Sequence, residues 1–101
     1  MCKTQLFNTV LQLVSEETEV SECLILSHSR SVEIVDARSI LVNILAERGI
    51  YPVQIADYIH HTPASVRNMI TGYNARKKSN HLIDIMSQRV RNSLESNNSF
   101  N

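Results

Sequence analysis

An all-α fold, a compact bundle of about six helices, is what three features of this chain predict. Apolar residues recur at intervals of three and four rather than two, which places them on one face of a helix. Only two glycines and two prolines interrupt the 101 residues, so few positions break a helical stretch. No pair of alternating apolar runs offers a strand partnership. Apolar residues at 43% and charged residues at 20% give the balance of a globular domain, and the length supports one core rather than two. A single domain over residues 1–95 is expected, followed by a disordered polar tail at 96–101.

Each element follows from a local pattern. Leu6, Phe7, Val10, Leu11 and Val14 share a stripe, which predicts an amphipathic first helix of about four turns fraying at Glu16, Glu17 and Glu19. Ser21 is placed to cap a short second helix through Cys23–Leu26, with Val20 stapling onto Ile25. Ser27–Ser31 reads as a polar loop. A third helix is expected to begin at Val35 or Asp36, to pack Ile40, Leu41, Ile44 and Leu45, and to end at Gly49 in a left-handed conformation. Pro52 opens a fourth, running through Val53–Ile59. Thr62 then caps a fifth, with Pro63 at its first position and Val66, Met69, Ile70 and Tyr73 inward. The last helix, about 79–95, is expected to present Leu82, Ile83, Met86, Val90 and Leu94 to the core.

Several function classes lack a basis in these residues. No apolar run approaches the roughly 20 residues of a spanning helix, and the first residues lack the apolar stretch of a secretory signal. A cytoplasmic, nucleoid-associated protein without a membrane partner is expected. Cys2 and Cys23 read as two free thiols rather than a disulfide framework. His28, His60, His61 and His81 show no metal-ligand spacing, so no metal and no cofactor is expected. Neither a Ser/His/Asp order nor a carboxylate pair stands out, and no catalytic residue is named; the chain reads as no enzyme.

The neutral formal charge hides a division. Residues 1–60 carry four bases against eight acids, whereas residues 61–101 carry six bases against two acids. A basic surface near the C-terminal half can attract a polyanion even when the whole chain is neutral.

Within that half, Gln54–Ile70 has the spacing of a helix-turn-helix spanning about 52–74. Ala56 is small enough for close approach of the two helices, and Ile55, Ile59, Val66 and Ile70 fill the wedge between them. His60 stands at the turn, where glycine is common because the backbone is left-handed. His61, Pro63, Ala64, Arg67, Asn68 and Thr71 then lie on or near the outward face, with Thr62 and Ser65 at the first turn of the second helix. Small, hydrogen-bonding and cationic side chains of this kind suit a major groove, Arg67 reading guanine edges and Asn68 adenine edges. Arg76, Lys77 and Lys78, beside Tyr73 and Asn74, suit flanking phosphates. Arg89 and Arg91 either extend this cluster or solubilise the last helix.

From about Val14 to Met69 the chain resembles the C-terminal DNA-binding domain of the bacterial replication initiator DnaA. Val20–Leu26 corresponds to a short apolar segment, Ser27–Ser31 to a basic loop, Ala37-Arg38-Ser39 to the start of a supporting helix, and Ile55–Val66 to the helix-turn-helix. The resemblance implies double-stranded DNA as partner, a minor-groove contact for Arg30, and a place near a phosphate for Arg38. Where the family has Asp-His-Ser/Thr-Thr-Val, this chain has Thr62-Pro63-Ala64-Ser65-Val66, and Ile55 to Val66 is one residue shorter than usual there. A target other than the initiator's own box follows. No Walker-type phosphate loop is present, so the likeness does not extend to the initiator's ATPase. The expected function is sequence-specific DNA binding in transcription or replication control. If about four to six phosphates are engaged, log affinity falls against log salt with a slope of roughly −4 to −5. The alternative is a helical protein-interaction module whose N-terminal helix meets a partner; the same helix, or the last one, could also form a homodimer.

Overall fold

The computed structural model describes residues 2–98 and consists of six helices: α1 (Lys3–Thr18), α2 (Glu22–Ile25), α3 (Val32–Glu47), α4 (Pro52–Ile59), α5 (Pro63–Ser79) and α6 (His81–Asn98). No strand occurs among the described residues. The all-α expectation holds. A radius of gyration of 12.5 Å matches the roughly 13 Å of a folded 100-residue domain.

α3 is the central element, packed against all five others. Its residues from Asp36 to Val42, with Ile44 and Leu45, are all buried, so it is covered on nearly every side. α1 lays Phe7, Val10, Leu11 and Val14 into the same core, as their stripe predicted, and Phe7 stacks on Tyr58 of α4 at 4.8 Å between ring centres. The stripe therefore serves this chain's own core. From α6 the inward residues are Ile83, Ser87, Val90 and Leu94. The Ser87 hydroxyl is satisfied by that of Tyr73 on α5, which joins the two helices through a buried polar contact.

The helix ends follow local chemistry. Ser21 caps α2 through the Leu24 amide, and Val20 and Ile25 both enter the core. α3 closes in a Schellman motif: Gly49 takes φ +89°, its N–H bonds Ala46 O at 3.0 Å, and Ile50 N–H bonds Leu45 O at 3.2 Å.

Four boundaries differ from expectation. α3 begins three residues before Val35, because Ser31 is already extended and Val32 starts the helix although its side chain is 67% exposed. An exposed valine and Glu33 gave no apolar periodicity there. α5 runs on past Tyr73 to Ser79, a polar stretch held by tertiary contacts. Asn80 (φ −135°, ψ 101°) then breaks the chain and its side-chain oxygen accepts the Leu82 amide at 3.1 Å, so α6 starts at His81. Leu82 is consequently 60% exposed rather than in the core, since it lies a quarter-turn off the Ile83–Ser87–Val90–Leu94 stripe. α6 continues to Asn98, taking in the first three residues of the expected tail; 99–101 lie outside the described residues.

Candidate nucleic-acid interface

α4 and α5 are joined by three residues, and each has a defined task. His60 takes the left-handed conformation (φ 60°, ψ 41°), which lets the His61 N–H return to the Ala56 carbonyl at 3.0 Å. Thr62 is extended, and its hydroxyl accepts the Ser65 amide at 3.1 Å, capping α5. Pro63 occupies the first position, where its missing N–H has no intrahelical acceptor to lose. Ile55, Ala56, Ile59 and Val66 are buried between the helices and Ile70 is half-buried. The tight two-helix unit read from the sequence is therefore present.

α5 divides its residues by face. At 3.6 residues per turn, Ala64, Arg67, Asn68, Thr71, Ala75 and Lys78 fall within a band of about 100°, and every one is exposed. No acid stands anywhere between Asp57 and Asp84. The face thus offers two cations, an amide, a hydroxyl and small residues, with no local carboxylate to repel a phosphate. Lys77 does not belong to it: its helical position falls between those of Val66 and Ile70, and the residue is half-buried. Pro63, Ser65 and His61 are half-buried at the edge.

Two expected phosphate contacts are corrected. Arg38 is only 4% exposed, and its guanidinium donates from Nε to Ile25 O (2.9 Å), from Nη1 to Ser29 O (3.2 Å) and from Nη2 to Ser27 O. It holds the loop from inside and is not exposed to a DNA backbone. Burial lowers its pKa from the usual arginine value, although a guanidinium remains charged at neutral pH. Arg76 pairs with the buried Asp36 at 2.9 Å, and Asn80 Nδ2 donates to the same carboxylate at 3.4 Å. It ties α5 to α3.

The remaining cations sort cleanly. Arg48 bonds Glu95 (2.8 Å), Arg89 bonds Glu17 (3.0 Å), and Arg91 grips both oxygens of Glu47 at 2.9 Å, which raises the Arg91 pKa. Arg89 and Arg91 thus brace α6 and do not extend the cluster. Lys3 donates to Gln54. Besides Arg38 and Lys3, which bond neutral oxygens, the cations with no acidic partner among the described residues are Arg30, Arg67, Lys77 and Lys78.

Arg30 is exposed on the loop that Arg38 anchors. That loop meets α5 across an open groove of about 520 Å³, with His28, Arg30 and Val35 on one side and His61, Met69 and Arg76 on the other. The His28 and His61 rings stack at 4.2 Å, and His61 Nε2 lies 3.3 Å from Ser27 O. Burial lowers the His61 pKa, partly opposed by the Ser27 contact and reinforced by the Arg38 charge. Sequence reasoning missed the groove. The one available signal was Asp36, an acid in helical register with Ile40 and Ile44, which called for a buried partner.

Among the described residues no group of three or more His, Cys, Asp or Glu could hold a metal ion, Cys2 and Cys23 are free and exposed, and no helix is long and apolar enough to cross a membrane. No protein-family model matches this chain, and no curated protein or solved structure is significantly similar to it, so the resemblance to the replication-initiator domain stands on the residues quoted for it.

Proposed function

We propose that this chain binds double-stranded DNA with α5 in the major groove, as a DnaA-like helix-turn-helix regulator of transcription or replication in the cytoplasm. The observation that carries this reading is the distribution of cations. Five arginines are engaged in contacts within the chain, while Arg67 and Lys78 are left without acidic partners on one exposed, acid-free face and Arg30 projects from the adjoining loop. Arg67 and Asn68 are placed to meet base edges, Lys78 and Arg30 to meet backbone phosphates, and the short side chains of Ala64 and Thr71 allow close approach.

Fluorescence anisotropy with random duplex DNA across a salt series tests it. Two phosphate contacts, from Lys78 and Arg30, predict a log–log slope of roughly −2, and Lys78→Ala should reduce its magnitude by about 1. At a selected site, Arg67→Ala should cost roughly 1–3 kcal/mol and relax specificity at one position. Absence of salt-dependent binding by the folded chain would sink the proposal and favour a protein-interaction module, for which the exposed Leu82 and Ile85 offer an apolar surface.

A further inference from the structure

Arg38 is a buried cation whose charge no carboxylate answers. Its three bonds, one from each guanidinium nitrogen, all go to neutral carbonyls. Buried charges are ordinarily paired with opposite charge, because carbonyl dipoles offset only part of the lost hydration. Arg38 lines the 520 Å³ groove together with Arg30 and Arg76, a volume within the roughly 300–1,000 Å³ of small-molecule sites. Asp36 answers Arg76 and does not line the groove.

Two further observations define what would fit. α3 begins at the lip of the groove, and Ser31 makes no side-chain cap there, so the positive end of a 16-residue helix adjoins Arg30 without a capping oxygen. The rest of the lining sets the apolar or flat groups Val32, Val35, Met69 and the stacked His28–His61 pair beside two hydroxyl residues, Ser29 and Ser65.

We propose that this groove binds a small molecule joining an oxyanion head to a flat apolar body, such as an aryl phosphate or an aromatic carboxylate. The head sits on Arg30, Arg38 and the amides at the start of α3; the body lies along Val35, Met69 and the imidazole pair. An anion seated there withdraws Arg30 from DNA, so the ligand acts as an effector that weakens DNA binding. That coupling rests on the DNA-binding reading; occupation of the groove does not.

The test is an amide-resolved NMR titration of the full chain, without DNA, using phenyl phosphate, benzoate and inorganic phosphate. Wild type is compared with Arg30→Ala and with Val32→Asp, which places a negative charge at an exposed lining residue where an acid suits the first helical turn. The expected result is saturable shifts at residues 28–35 and 61–69 with phenyl phosphate or benzoate, the tighter of the two identifying the head. Affinity should be about tenfold weaker for inorganic phosphate and in each variant, whose own spectra report that the fold is retained. No saturable shift up to roughly 10 mM overturns the proposal. Equal binding of inorganic phosphate, unmoved by either variant, overturns it as non-specific ion association. Shifts at these residues in a separate titration with duplex DNA, with none from the small anions, overturn it in favour of a backbone contact. A failed DNA anisotropy experiment beside a successful titration removes the effector step alone.

Discussion

Arg38 shows how much one side chain can decide. Truncation to alanine leaves the carbonyls of Ile25, Ser27 and Ser29 without their donor and opens a void beneath the loop, with an expected loss of roughly 2–4 kcal/mol in urea unfolding. Lysine keeps the charge but lacks the planar fork, so Arg38→Lys should recover less than half of that loss. His61 makes stability depend on pH. Burial lowers its folded-state pKa, so the unfolded chain binds its proton more readily. The contribution is therefore complete above the ordinary histidine value of about 6.5 and is lost as pH falls through the folded-state value. Wild type should be less stable at pH 5 than at pH 7.5, and His61→Gln should reduce that difference in parallel urea titrations; an unchanged difference would remove His61 as its source.

At the level of elements, the connection between α4 and α5 is where local chemistry is most exacting. His60 bears a Cβ at φ 60°, a conformation that glycine adopts without that penalty. His60→Gly should therefore stabilise by about 0.5–1 kcal/mol, whereas Thr62→Ala, which removes the cap of α5, should cost about 1 kcal/mol. Thermal unfolding should move in opposite directions for the two variants. Both features were legible in the sequence, because caps, prolines and left-handed turns are set by neighbouring residues. So were the stripe of α1 and the buried face of α3. Less legible were the elements fixed from a distance. Apolar periodicity stops at Tyr73, although Ala75, Arg76, Lys77 and Lys78 are good helix formers; the Arg76–Asp36 bond and the Tyr73–Ser87 contact hold α5 against other helices. The same cause underlies the misreading of the site. Arg38 and Arg76 are cations in polar or basic surroundings when read along the chain, and only the fold reveals that one is enclosed by a loop and the other bound to a buried acid. Arg67, Asn68 and Thr71 were correctly placed outward because helical period alone determines their face.

For the whole molecule, the core and the ion pairs make unequal contributions. The apolar residues of α1, α3, α4, α5 and α6 form one buried cluster, whereas Arg48–Glu95, Arg89–Glu17 and Arg91–Glu47 lie at the surface around α6. Exposed pairs are worth about 0–1 kcal/mol each and are screened by salt. Raising salt across the series of the proposed DNA-binding test should therefore leave the melting temperature nearly unchanged, and a marked fall would show that the ion pairs hold the bundle together. The Arg38 clamp has a different consequence. By fastening Ile25, Ser27 and Ser29, it makes the immobilisation of the loop part of folding, so the ligand proposed for Arg30 would meet a backbone that has already lost its freedom. A variant that loosened the loop yet still folded would bind more weakly through entropy, with every contact of the bound state intact.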